Sequence, residues 1–287
     1  MQKSFLICGG DMRQVKLAES LAKDGYTVKA VGFDDPELFC GGVKLKKFQP
    51  RYVTEADVIV LPIPCSADNE TLNTPLQKDI IKLSRIFSLV SPGQIITGGR
   101  VSEKVRLLAE DYNLVIHDYL KREEAAVLNA VPTAEGAIQI AMENMPITLH
   151  GSRALVLGFG RIGKLLCAKL KGLSVNVTCE ARSCSDLAWI RSYGYDALHL
   201  DAVSDAAGGF DLIINTIPSL VITENFLSHT QNDALIIDLA SKPGGVDMDA
   251  ASRLGRRVIW ALSLPGTVAP VTAGEVIKET VLNILGT

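Results

Sequence analysis

The chain has 287 residues, of which 47% are hydrophobic and 21% charged, and its formal net charge is −3. That length allows two domains, and the composition is that of an ordinary globular protein. There is no basic footprint for nucleic acid, no apolar run as long as a membrane span and no signal-peptide pattern. The six cysteines make no CxxC pair, and Cys8, Cys167 and Cys179 sit in apolar segments. They read as reduced core thiols, which points to the cytoplasm.

The first third alternates short apolar strands with helices. Ser4–Cys8 reads as a strand, Met12–Lys23 as a helix and Thr27–Val31 as the next strand; Asp57–Leu61 is apolar enough to be buried on both faces. A helix is expected over Leu76–Phe87, a strand over Gln94–Thr97, a helix over Ser102–Glu110 and a strand over Leu114–His117. From Ala134 to Met145 apolar residues recur at helical spacing, which predicts one helix starting near Pro132 or Thr133, with Pro146 beyond its end. A second series follows, with strands at Ala154–Leu157, Val175–Cys179, Ala197–Leu200, Leu212–Asn215, Leu235–Asp238 and Val258–Ala261. The last apolar repeat, Ala273 to Leu285, is a helix that either caps the second sheet or crosses back to the first domain.

Strands alternating with helices give α/β architecture: two doubly wound parallel-sheet, Rossmann-like domains joined by a long linker helix, with a cleft between them. The expected boundaries are 1–131 for a substrate-side domain, on which the helix at 272–287 packs, 132–150 for the linker and 151–271 for a cofactor domain.

Ala154-Leu-Val-Leu-Gly158-Phe-Gly160-Arg-Ile-Gly163 is a buried strand running into a glycine turn and a helix, the dinucleotide-binding fingerprint in its proper context. Gly158 permits the turn, Gly160 lets the backbone approach a pyrophosphate and Gly163 lets the helix pack on its strand. Ligands of open parallel sheets bind outside the carboxyl ends of the strands. The cofactor set is therefore Gly158, Gly160, Arg161, Ile162 and Gly163, joined by Arg182, Ser183, Asn215, Thr216, Ile217, Pro218, Ala240, Leu264 and Pro265.

NAD sites place an acidic residue at the end of the second strand, roughly 20 positions along the fingerprint. Here that position falls on Ala181, followed by Arg182 and Ser183, which leaves room and a guanidinium for a 2′-phosphate and favours NADP. Glu180 is one residue away and belongs to the other face of the strand; a one-residue slip would restore NAD. The opening Cys8-Gly9-Gly10-Asp11-Met12-Arg13 lacks a third glycine, so a second nucleotide site is not expected, and Asp11 reads as a helix cap. Arg13 and Arg100 are either substrate-carboxylate contacts or solvated cations. The four histidines are scattered, and none lies in Ala261–Pro270, which argues against simple alcohol-to-ketone hydride transfer.

The stretches Gly9-Gly-Asp-Met-Arg-Gln14, Val131-Pro-Thr-Ala-Glu-Gly136, Leu157–Gly163, Asn215-Thr-Ile-Pro-Ser219, Asp238-Leu-Ala-Ser-Lys-Pro-Gly-Gly245 and Leu264–Pro270, in this order, resemble the dipicolinate synthase A-subunit family. The resemblance spans the whole chain. It implies NADP-dependent oxidation of a dihydro- or 4-hydroxy-tetrahydro-dipicolinate to pyridine-2,6-dicarboxylate in the mother cell of a spore-forming bacterium, with the B-subunit of that synthase for partner; a homo-oligomer is also expected. A ring dicarboxylate needs cations or N–H donors. The candidates are Lys242 with Ser241, Gly244 and Gly245, and Thr133 at a helix start; Lys242 and Glu135 are the catalytic candidates, Glu135 as acid/base. For Glu135 a helix-capping carboxylate is the competing reading. Another two-domain dehydrogenase of an amino or hydroxy acid, and a non-catalytic NADP-binding protein, remain as alternatives.

Overall fold

A computed structural model describes residues 3–286. Residues 1, 2 and 287, at the ends of the expected first domain and last helix, lie outside the described residues.

The strands are β1 Ser4–Cys8, β2 Thr27–Val31, β3 Lys44–Leu45, β4 Val58–Val60, β5 Ile95–Gly98, β6 Ile116–Asp118, β7 Arg153–Leu157, β8 Asn176–Ala181, β9 Asp196–His199, β10 Leu212–Asn215, β11 Leu235–Asp238 and β12 Arg257–Trp260. The helices are α1 Met12–Lys23, α2 Pro50–Thr54, α3 Leu83–Phe87, α4 Glu103–Glu110, α5 Glu123–Asn144, α6 Arg161–Gly172, α7 Cys184–Ser192, α8 Val203–Ala206, α9 Glu224–His229, α10 Met248–Arg253, α11 Leu264–Val268 and α12 Pro270–Leu285. They build two six-stranded sheets, ordered β3-β2-β1-β4-β5-β6 and β9-β8-β7-β10-β11-β12. Every pairing within them is parallel. Each is a doubly wound Rossmann-like sheet whose order reverses beside its first strand.

Burial explains the strands. All of β4, β10 and β11 is buried, as a parallel sheet covered on both faces requires. Successive residues of β7 alternate between two cores: Ala154 and Val156 join the one with Leu166 and Leu170 of α6, Leu155 and Leu157 the one with Phe226 and Leu227 of α9. On α6 the buried residues are Gly163, Leu166, Cys167 and Leu170, one stripe at helical spacing.

The chain divides into two compact units, residues 1–129 with 269–287, and residues 130–268. In the first, α12 lies on α1. A Cβ on Gly274 would come within 2.9 Å of the Arg13 carbonyl oxygen and 2.8 Å of the Leu17 nitrogen, so glycine is what allows this approach. Lys278 Nζ ties the two helices together through Ser20 Oγ and Asp24 Oδ2, at 2.7 and 2.9 Å.

Two expected elements are corrected. The helix over Leu76–Phe87 is confined to Leu83–Phe87. The preceding segment is an ordered loop in which Leu72 N–H donates to Ile81 O at 2.8 Å while both side chains are buried, so tertiary contacts override the local period. The linker helix runs over Glu123–Asn144, not 132–150, and Pro132 is interior. Proline in a helix removes one hydrogen bond at a cost of about 3 kcal/mol. Around it Ala130, Thr133, Ala134, Ala137, Ile138 and Ala141 are all buried, and that packing offsets the loss.

Candidate functional site

In the second unit the sheet order reverses between β7 and β10, whose ends pair as Leu157 with Asn215. The glycine turn occupies this point. Gly158 has φ +93°, and a Cβ there would lie 2.6 Å from Thr216 Oγ1. A Cβ on Gly163 would stand 2.0 Å from the Gly158 carbonyl oxygen, so close helix–strand contact demands this glycine. Gly160 differs: nothing lies within 4 Å of a Cβ built on it. It is also the N-cap of α6, with no side chain capping the helix. Open space, uncapped N–H groups and the positive end of a helix are what a pyrophosphate needs, so these residues fit a bound dinucleotide.

The end of β8 lies alongside. Ala181 belongs to the core with Val177 and Cys179, whereas Glu180, level with Leu157, occupies the opposite face. The Glu180 carboxyl is 1% exposed, and its Oε2 accepts the Gly158 N–H at 3.0 Å. Its Oε1 is buried without a hydrogen-bond partner. Burial pushes the Glu180 pKa above the usual carboxylate range, against the Gly158 N–H and the nearby charges of Arg182 and His199. Glu180 is thus a strut under the turn. Arg182 is exposed, and its carbonyl accepts from His199 Nε2 at 3.1 Å. The Ser183 hydroxyl caps α7, accepting the Asp186 N–H at 3.0 Å and donating to its carboxylate at 2.8 Å.

Asp238 organises the loops after β10 and β11. It is 1% exposed and accepts from Asn215 Nδ2, Ala240 N–H and Gly245 N–H at 2.8, 3.0 and 2.8 Å. Asn215 is itself fully buried; its Nδ2 also donates to Ile217 O at 3.0 Å and its Oδ1 accepts the Ile217 N–H at 3.1 Å. Asn215 therefore shapes the loop, while Thr216 and Ile217 border the glycine turn and Pro218 is exposed.

Of the substrate-side candidates, Ser241 and Lys242 are exposed. The Gly244 and Gly245 N–H groups are committed, to Ser241 O at 2.9 Å and to Asp238 Oδ2 at 2.8 Å, which removes both as free donors. A Cβ on Gly245 would meet Asn215 Nδ2 at 2.1 Å, so this glycine keeps the loop compact. Thr133 is buried within α5. Glu135 lies deep in that helix, not in its first turn, and pairs with Lys169 of α6 at 2.7 Å while more than half exposed. Its helix-capping reading is therefore corrected as well. Leu264 and Pro265 are buried in α11, where Leu264 packs on Gly136. Arg161 and Ile162 begin α6.

The turn after β1 has the same place in the first sheet but is covered by its own chain. A Cβ on Gly9 would meet Asn73 O at 2.7 Å and Thr74 Cγ2 at 2.8 Å, and the Gly10 N–H donates to Asn73 O at 2.9 Å. Asp11 caps α1 by accepting the Arg13 N–H at 3.0 Å. Arg100 is exposed, with φ +53° and its N–H on Asp118 Oδ1 at 3.2 Å. Sequence reasoning missed two features here, the Asp238 hub and the burial of Arg13. The only trace of the first was an acid ending an otherwise apolar strand.

Two Rossmann-like sheets, one with an open glycine turn at its switch point, define a protein of dinucleotide-binding architecture. The family of the dipicolinate synthase A-subunit N-terminal domain matches residues 4–120. Over 281 residues the chain is 31% identical to the dipicolinate synthase A-subunit of Bacillus subtilis (strain 168), covering 97% of this chain and 94% of that one. The crystal structure of the dipicolinate synthase A-subunit from Bacillus halodurans aligns with a TM-score of 0.92 at 30% identity, over 99% of this chain and 98% of that one. A transhydrogenase from Sinorhizobium meliloti shares the fold, with a TM-score of 0.70 at 13% identity, over 98% of this chain and 93% of that one. The chain belongs to the dipicolinate synthase A-subunit family. Among the described residues, no helix is long and apolar enough to cross a membrane.

Proposed function

We propose that the second unit binds NADP and that the chain oxidises a partly reduced ring dicarboxylate to pyridine-2,6-dicarboxylate, in the mother cell and together with the synthase's B-subunit. The open Gly160 turn beside the strand end Ala181-Arg182 carries this reading, in combination with family membership. A bound nicotinamide would supply the acceptor for the hydride that a dihydro ring gives up, with a proton, on becoming aromatic. The chain's share is placement: α6 holds the pyrophosphate at its N-terminus, Arg182 meets the 2′-phosphate and Lys242 faces one ring carboxylate. With a 4-hydroxy-tetrahydro substrate, loss of water precedes hydride transfer and calls for a proton-transfer group.

The purified chain, given NADP⁺ and freshly generated hydroxy-tetrahydrodipicolinate, is expected to yield pyridine and NADPH absorbance together. Arg182→Ala is expected to weaken NADP about tenfold or more while leaving NAD little changed, and Lys242→Ala to raise the substrate KM. Equal losses for both cofactors, by fluorescence titration, remove Arg182 from this role. One observation favours a second reading: Glu135 is engaged by Lys169 on an exposed surface, which leaves the acid/base role to another group. Turnover only when the B-subunit is present supports a cofactor-binding protein whose partner completes the site.

A further inference from the structure

The first sheet retains a switch point, between β1 and β4, but there the Asp11 carboxylate caps α1 and Asn73 O takes the Gly10 N–H. What the loops after these two strands share instead is Arg13. Its side chain is 7% exposed, a burial that arginine reaches when it is paired. Nε and Nη2 grip the Asp11 carboxylate at 2.9 and 2.7 Å, and Nη2 also donates to Ile63 O, after β4, at 3.1 Å. The third nitrogen, Nη1, takes no hydrogen-bond partner among the described residues.

The next residue adds an independent observation. Gln14 is fully buried; its Nε2 donates to Tyr119 Oη at 3.1 Å, but its Oε1 has no partner. Native structures seldom leave a buried amide oxygen unpaired. Tyr119 is fixed in turn by donating to Leu61 O at 2.9 Å, so Gln14 is held in place from behind. A Cβ on Gly10 would stand 2.8 Å from Gln14 Cγ, which places this side chain beside the β1 turn.

We infer that Arg13, oriented by Asp11 and Ile63 O, is a carboxylate-binding residue of the first unit, for a small dicarboxylate. This rests on the substrate class proposed above. Asp11 and the Ile63 carbonyl fix the plane of the guanidinium before any ligand arrives, so Nη1 meets an incoming carboxylate with little ordering cost. The neighbouring Gln14 Oε1 is an acceptor for a ring N–H or a bridging water.

The test is calorimetric titration of the full chain with NADP⁺ present, using pyridine-2,6-dicarboxylate and pyridine-2-carboxylate as probes. Wild type is expected to bind the dicarboxylate about tenfold or more tightly than the monocarboxylate. Arg13→Lys and Arg13→Gln are expected to lose that preference while NADP affinity stays within about twofold. A general loosening of the fold would weaken both probes alike. Retention of the preference by the variants overturns the role of Arg13 and leaves the substrate class standing. A wild type that shows no preference for the second carboxylate overturns both. Should neither Arg13 variant fold, Asp11→Asn keeps the guanidinium and a helix cap and removes the carboxylate that orients Arg13. Loss of the dicarboxylate preference by that variant supports the assignment, and an unchanged preference overturns it.

Discussion

Glu180 carries a carboxyl group with one oxygen bound to the Gly158 N–H and the other buried and unpaired. A group whose folded pKa stands above its unfolded value stabilises the protein while protonated. That contribution is lost as pH rises through the folded value. Burial raises Glu180, so its contribution is whole below the ordinary carboxylate pKa of 4.5 and shrinks as pH rises past its folded value. Glu180→Gln, which cannot ionise, is expected to lose less stability than wild type as pH rises from 4.5 towards neutrality. Thermal denaturation across that range checks it; parallel curves for the two proteins would show that Glu180 ionises freely. The period of the strand assigned Glu180 to the face opposite Ala181, because alternation is a local rule. That its carboxyl reaches across to the glycine turn depends on the Leu157–Glu180 register, which no window of sequence contains.

Among the elements, the loops after β10 and β11 depend on one acid. Without Asp238 the Ala240 and Gly245 N–H groups and one Asn215 amide hydrogen lose their acceptor inside a dry site. Asp238→Ala is expected to destabilise by about 3 kcal/mol or more, and to speed limited proteolysis within residues 240–245. Chemical denaturation read beside the digestion rate checks both, and a wild-type midpoint would mean that the loops hold themselves. Eleven of the twelve strands and the glycine turn were legible because each rests on a short-range period or on glycine spacing, whereas the two-residue β3, Lys44–Leu45, has no period to read. Less was legible where distant residues decide. Leu72 and Ile81 cancel a helix by pairing with each other, and the packing around Pro132 extends α5 through a residue that reads as a boundary. The same holds for Gly244 and Gly245. Their spacing suits anion binding, but Asp238 and the Ser241 carbonyl already hold both N–H groups.

At the scale of the molecule, the two sheets repeat one strand order but only one keeps its turn open. In the first, the Asp11 carboxylate caps the helix and Asn73 O takes the Gly10 N–H, so the chain is expected to bind one NADP per polypeptide. Calorimetry that returned two equivalent sites would contradict this. The return of α12 to α1 has a consequence for how the protein is made. Residues 130–268 form a continuous unit, whereas the first unit is assembled from 1–129 and 269–287. A ribosome therefore delivers the whole second unit before it releases the helix on which α1 rests. Chains fold by units during synthesis. The unit that starts first is thus the one that finishes last, and until the final turns of α12 emerge, the apolar face that α1 shows to Ile277 and Val281 stays open to water and to chaperones.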